Sequence, residues 1–487
     1  NRHDRTQLEL KLNYGIRPNE KQQRYRVSLF MFVPRVLALT KQTYQKDRFY
    51  QDSITFIRMT TPQVPLHDLS KKNAIAPWAD PVQQAIGQFA DGNQGDPAPA
   101  IRGIKLLACV LKSAVRDAKS QLLQQLEEHL RSPAATGTKA VCATLISDYG
   151  EDIRTALRRL RKVGEKSSKD GVPISVRECW RAADEYTSLL CEEALTDVIV
   201  LVSKHEQSHD LEVAISELRS IAIDEYHHRR DSGFFSYAVE GERNEYLPHR
   251  WRVLKRYVSS ALYLHVSREQ AGMLITDIIG MLAAALAMLF ATVAMLMATT
   301  LWGASLSMAF IGAMVVSYVI KDRIKELGKR HLGQRVRGLL PDHLLSIQTR
   351  DENQTLGSCK ETFFVAKIKD IDSAIVDFRY CDLASHDAIE GRPETVICYE
   401  KEVVLSSSAL AENLAGATGL TDVVRLNVSP MLARMDDTWE TYRYIHPRTR
   451  MVNKTRCARV YHINIVLKLI AANGEQSLAR VRVVMNK

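Results

Sequence analysis

The stretch Asp277 to Lys321, DIIGMLAAALAMLFATVAMLMATTLWGASLSMAFIGAMVVSYVIK, holds 43 residues between its terminal charges without a Lys, Arg, Asp, Glu or His. One bilayer crossing needs about 20 apolar residues. The run is long enough for two, and it lacks the polar face that a soluble amphipathic helix keeps. It predicts a transmembrane hairpin with crossings over 278–298 and 302–320. The turn is expected at 299–303, where Gly303 relaxes the backbone and Trp302 suits the membrane–water interface.

Small residues recur in the first crossing at Gly280, Ala284, Ala287, Ala291, Ala294 and Ala298, and in the second at Ser305, Ala309, Ala313 (or Gly312) and Ser317. Steps of three and four residues form a seam along which helix backbones approach closely. The seam is expected to pack the two helices of the hairpin on each other and to promote a homo-oligomer. Met273, Met281, Met288 and Met295 form a separate stripe, expected to face lipid or a neighbouring helix.

The flanks set the orientation. Arg250, Arg252, Lys255, Arg256 and Arg268 precede the run, and Lys321, Arg323, Lys325, Lys329, Arg330, Arg335 and Arg337 follow it. Both ends are basic and the turn is uncharged, so the positive-inside rule puts both termini in the cytoplasm of a multi-pass plasma (inner) membrane protein. Arg250, Arg252, Lys255, Arg256, Trp302, Lys321, Arg323 and Lys325 are the expected interface residues, set against anionic lipid headgroups. These flanks supply most of the chain's net charge of +10, so the basic balance gives little support to a nucleic-acid partner.

The chain of 487 residues has room for folded domains on both sides of the hairpin. The reading is an α+β multidomain membrane protein in four parts. Residues 1–99 hold a β-hairpin, a helix and a Pro-rich connector. Residues 100–248 form a helical bundle, 249–337 the basic-flanked hairpin, and 338–487 a β-rich cytoplasmic domain. Alternation over 6–14 and 24–33 predicts two strands paired as a hairpin, the second ending in a continuously apolar run buried on both faces. Residues 41–60 read as a helix, and the prolines of 61–99 as a connector. Four helices are expected over 101–131, 136–162, 175–203 and 208–226. A short helix is placed at 339–349. Strands follow at 362–369, 374–380, 395–404, 423–428, 458–470 and 478–485, the last two closed by Asn473-Gly474. No apolar segment follows the polar Asn1–Asp4, so the internal hairpin is the expected targeting signal. The eight cysteines form no CxxC pair and suit a reducing compartment.

Catalytic patterns are sparse. His205-Glu206-Gln207-Ser208-His209 matches HExxH, which on a helix places two imidazoles one turn apart for zinc, with Glu206 as general base and Glu225 or His227 as a third ligand. The pattern resembles the zinc-metalloprotease signature, but Lys204 and Asp210 flank it in a polar run that suits an exposed helix junction. His227-His228-Arg229-Arg230 suits a helix C-terminus. His386, Asp387 and Glu390 form an isolated metal-hydrolase-like fragment, and Glu400-Lys401-Glu402 lies on a strand without a placed partner acid. No P-loop, GxGxxG or GxSxG occurs, which disfavours the common nucleotide and acyl-transfer chemistries. The expectation is therefore a non-enzymatic membrane-anchored sensor or scaffold without a cofactor, meeting the bilayer and a cytoplasmic protein partner. A gated oligomeric pore and a membrane-tethered zinc hydrolase are the alternatives.

Overall fold

The computed structural model describes residues 6–17, 20–69, 71–131, 138–204, 211–270, 273–302, 308–337, 340–349, 354–380, 393–413 and 419–487. The fold is α+β. In chain order come β1 (Gln7–Gly15), β2 (Gln22–Pro34), α1 (Lys46–Asp52) and β3 (Ser53–Met59). Six helices follow: α2 (Leu66–Leu69), α3 (Lys72–Ala90), α4 (Ala98–Arg131), α5 (Thr138–Val163), α6 (Ile174–Ser203) and α7 (Glu212–Asp231). Then come α8 (Tyr246–Ser259), β4 (His265–Gln270), α9 (Met273–Trp302), α10 (Met308–Arg337), β5 (His343–Gln348) and β6 (Thr355–Ala366). The chain closes with α11 (Ser373–Tyr380), β7 (Glu394–Ser406), α12 (Ser407–Asn413), β8 (Gly419–Asn427), α13 (Ser429–Leu432), β9 (Trp439–Ile445), β10 (Val452–Ala458), β11 (Tyr461–Ile470) and β12 (Gln476–Met485).

Seven strands form one antiparallel sheet in the order β12-β11-β2-β7-β6-β5-β4, and three form a second, β1-β8-β3. The expected pairing of the first two strands does not occur. β1 pairs with β8, Tyr14 opposite Leu420, while β2 lies between β11 and β7. The long apolar run of β2 explains this, since Leu29 to Val33 are all buried and need cover on both faces. One face packs across to the second sheet through Met31, Phe363, Tyr399, Val424 and Leu426, with Phe49 stacked on Phe363 at 4.4 Å. The other face packs Phe30, Phe32, Val396 and Cys398 under Ile375 of α11. Strands from 1–99 and from 338–487 thus share both sheets, and the bundle is inserted between β3 and β4.

The four expected bundle helices are present as α4 to α7. Several other segments differ from expectation. Residues 53–59 form β3 where a helix was expected. Residues 374–380 lie in α11, and 343–348 form β5. The Pro-rich segment holds α3, in which Ala79, Val82, Ile86 and Phe89 are buried at helical spacing, so packing overrides Pro77 and Pro81.

α9 and α10 leave and re-enter the seven-stranded sheet between its edge strand β4 and the neighbouring β5, with Gln270 opposite His343. They pack on each other. Residues 299–302 of the expected turn are helical, since α9 runs through Trp302, and Gly303 lies outside the described residues. The hydroxyls of Thr299 and Thr300 donate to the carbonyls of Leu296 and Met297, each at 2.8 Å, satisfying themselves within the helix. Ala283, Ala287 and Ala298 are buried, and Gly280, Ala284, Ala291 and Ala294 are half-buried, so the seam lines the α9–α10 contact. Met281, Met288 and Met295 are exposed on the outer face. A Cβ on Gly328 would lie 3.2 Å from that of Ala283. This register sets the charged part of α10, from Lys321 onward, beside the apolar part of α9. The apolar portion of α10, from Met308 to Ile320, covers about 20 Å at about 1.5 Å per residue. Among the described residues one helical segment, Asp277–Thr300, is long and apolar enough to cross a membrane.

Gly357 tests the β6–β7 pairing. A Cβ there would meet the Val404 carbonyl oxygen at 2.4 Å, whereas one on Gly15 meets nothing within 4 Å. Gly357→Ala is expected to destabilise by about 1–3 kcal/mol, as overpacking does. Gly15→Ala should be near neutral. Thermal melting of the detergent-solubilised protein reads both.

Candidate functional site

The root of the α9–α10 hairpin sits on a chain of paired charges that runs into the protein. Arg268 of β4, two residues before the strand ends, lies 3.7 Å from Glu361 of β6. Glu361 accepts a hydrogen bond from the Tyr399 hydroxyl at 2.6 Å and lies 3.6 Å from the Lys401 ammonium of β7. Lys401 reaches across to the second sheet and meets Asp422 of β8 at 2.6 Å. The Tyr14 hydroxyl of β1 donates to the same carboxylate at 3.1 Å. Two cations thus face two anions, and Lys401, Glu361 and Asp422 are essentially sealed from water.

Strand alternation explains the placement. Lys401 points between the sheets, while Glu400 and Glu402 point to the opposite face, where Glu402 lies 3.3 Å from Arg24. The Glu400-Lys401-Glu402 triplet therefore does not act as one group. Burial, the largest single influence, would lower the Lys401 amine, but the surrounding groups, Asp422 first and Glu361 with it, together outweigh burial and hold the amine above its ordinary value. Burial, reinforced by the neighbouring carboxylates, raises the Tyr14 and Tyr399 hydroxyls well above theirs.

A second set of contacts braces the point where α10 returns to the sheet. Asp342 accepts from Lys46 at 3.1 Å, from the Tyr50 hydroxyl at 3.2 Å and from the Phe363 backbone N–H at 2.7 Å. Tyr50 also stands edge-on to His343 at 4.3 Å and lies under the Arg268 guanidinium at 5.6 Å. Burial, with the Arg268 charge, lowers the His343 imidazole. The root is thus held on both sides by groups from α1, β6 and β7.

Of the expected site residues, His205, Glu206 and His209 lie outside the described residues, as do His386, Asp387 and Glu390. Glu225 is buried in the bundle and receives Arg161 at 2.6 and 2.9 Å. His228 lies 2.8 Å from Asp184, and Arg229 is buried against Glu192, so half of the basic cluster at the end of α7 is spent inside the fold. Arg250 is held by Glu185 at 2.5 and 2.9 Å, and Arg268 by Glu361, so neither is free for lipid. Arg252 and the interface candidates Lys255, Arg256, Arg323 and Lys325 are exposed, and Lys321 is half-buried with its ammonium 4.0 Å over the Tyr318 ring. The side chains of Trp302, Ser305, Ala309 and Ala313 lie outside the described residues. Among the described residues no three His, Cys, Asp or Glu are grouped to hold a metal. The Arg268–Glu361–Lys401–Asp422 chain was not expected. Its signal was the single Lys within the apolar alternation of residues 395–405.

No family model matches the sequence, and no curated protein matches it. Among solved structures, a de novo designed 16-helix transmembrane nanopore is matched at 14% identity, over 56% of this chain and 94% of that one, with a TM-score of 0.19. A likeness at that score carries no argument.

Removing the central cation tests the charge chain. Lys401→Met leaves two buried carboxylates facing each other and is expected to cost about 3–5 kcal/mol. Adding Asp422→Leu should recover part of that loss in a denaturation experiment. The folded-state values of Lys401, Tyr14 and Tyr399 all lie above the unfolded ones. The stability they contribute is therefore complete below about pH 10 and is lost as pH rises further. The melting temperature should fall above about pH 10, and less steeply in Lys401→Met.

Proposed function

We propose that the protein is a membrane-anchored, non-enzymatic sensor or scaffold whose folded parts lie on one side of the bilayer and whose α9–α10 hairpin is the anchor. The observation that carries this reading is the outer face of α9. Leu282, Leu286, Leu289, Met281, Met288 and Val293 are exposed there, a surface that water does not tolerate at this length. The antiparallel β4–β5 pairing supports a common side for both flanks, because the chain enters and leaves the hairpin at one strand end.

In this reading the sheet is the receiver. A displacement of the hairpin pulls on β4 and β5, and through Arg268 and Glu361 on Lys401 and the second sheet. The charge chain, buried at Glu361, Lys401 and Asp422, transmits position. Self-association of copies uses the exposed Met281, Met288 and Met295 stripe, because the small-residue seam is occupied inside each hairpin.

The pairing of Gln270 with His343 allows a direct test, since replacing residues 271–342 with Asn-Gly should close β4 and β5 as a tight hairpin. The full chain is expected to stay with membranes through an alkaline carbonate wash, and the shortened chain to fractionate as a folded soluble protein. If the full chain washes off, the hairpin is not an anchor.

A further inference from the structure

The antiparallel order of the seven-stranded sheet fixes which strand ends share an edge. Gln270 of β4 lies opposite His343, and His343 opposite Glu361. The same end holds Ala366 of β6, Glu394 of β7, Pro34 of β2, Tyr461 of β11 and Met485 of β12. α9 and α10 therefore spring from one end of the sheet at its β4 edge. At the same end, on the β12–β11 edge, roots the β9–β10 arm. The Thr438 hydroxyl donates to the Lys487 carbonyl at 3.0 Å, and the Arg459 N–H donates to the Thr438 carbonyl at 2.9 Å, next to Tyr461.

The arm is a two-stranded sheet on its own, which is marginal in water. Every residue of β9 is exposed. The register puts Trp439, Thr441, Arg443 and Ile445 on one face with Ala458, Arg456, Lys454 and Val452. On that face Arg443 stands directly opposite Lys454. Like charges so placed repel, and among the described residues neither is given an acidic partner. Beyond this pair, Ile445, Val452 and Met451 are 67%, 67% and 68% exposed. Between Trp439 and Ala458 five Arg or Lys residues stand against the single acid Glu440. The other face carries Tyr442, Tyr444 and Cys457.

We infer that the basic face of the β9–β10 arm lies on the same anionic bilayer surface that receives the hairpin, as a second, peripheral membrane contact. This rests on the anchor reading above. Three observations select a lipid surface. The arm and the hairpin root at one end of the sheet, so a membrane that holds one is presented to the other. Arg443 and Lys454, opposed on an exposed face and without an acidic partner among the described residues, are attracted to anionic groups, which phosphate headgroups supply. The bare apolar tip and Trp439 flank that charge, as amphipathic interfacial elements do. With contacts at both edges of the sheet, the arm fixes the tilt of the β-sandwich over the membrane, and a change of surface charge would release it without releasing the hairpin.

The test uses the full chain in phosphatidylcholine–phosphatidylglycerol vesicles, with an environment-sensitive fluorophore at one of three sites. The other described cysteines are buried, and Cys381 is replaced by Ser. A label at Thr441→Cys reports the basic face, native Cys457 the opposite face, and Met288→Cys the hairpin, the last two substitutions in a Cys457→Ser background. The expected result is a blue shift and quenching by headgroup-level nitroxide lipids at position 441, little change at 457, and deep quenching at 288. The 441 signal should be lost in high salt, in pure phosphatidylcholine, and in an Arg443→Glu, Lys454→Glu, Arg456→Glu variant that keeps the 288 signal and the melting temperature. If 288 inserts while 441 stays in water, the arm proposal fails and the anchor stands. If neither inserts, both fail. A shift at 441 without vesicles, on raising protein concentration or adding single-stranded RNA, overturns the proposal in favour of a second copy or a nucleic acid.

Discussion

A single ammonium group, that of Lys401, stands fully buried between two β-sheets. It can remain charged there only because Asp422 lies 2.6 Å away on the facing sheet and Glu361 completes the neutralisation. This requirement ties β7 to β8, and through Tyr14 to β1. It also ties them to β6, where Glu361 is shared with Arg268 of β4. Four strands from distant parts of the sequence must be in register before all of these charges are paired. The chain thus contributes specificity as well as stability, because a slip of one residue in β7 would turn Lys401 to the outer face and bring Glu400 or Glu402 inward.

The same chain decides how the hairpin joins the body. Arg268 is paired with Glu361 two residues before β4 ends, and Asp342 receives three donors just before β5. The helices therefore rise from a fixed base. A loosely tethered anchor would need none of these contacts, and the β4–β5 pairing would then be an unbraced edge of the sheet.

Much of the helical structure was legible because helices are written locally. The apolar spacing of residues 101–131, 136–162 and 175–203 gave three bundle helices nearly to their ends, and the small-residue seam gave the inner face of α9. Strands were legible one at a time, but their partners were not. The segments at 6–14 and 24–33 look like a hairpin from their proximity, yet the deep burial of Leu29 to Val33 demands two long neighbours, which come from 394–406 and 461–470. Lys401 reads as a polar residue on an ordinary strand until its partners on other strands are known. The β9–β10 arm was missed for the opposite reason. With both faces exposed it shows no alternation of apolar and polar residues, so the usual signal of a strand is absent.

In the proposed anchor reading, the register of α9 against α10 sets how far the hairpin would enter a bilayer. Ala283 against Gly328 puts Lys321 beside the middle of α9, so the depth that is apolar on both helices is about 20 Å, against about 30 Å for a hydrocarbon core. A mismatch of that size is met by thinning, by snorkelling of flanking lysines, or by association of copies. Lys321 folds its ammonium back over the Tyr318 ring, where a cation–π contact holds it beside the apolar part of α10. The exposed methionine stripe offers the surface for association. In the proposed anchor reading, a shallow hairpin would also hold the body close to the membrane, and that closeness would bring a basic arm at the far edge of the sheet within reach of headgroups.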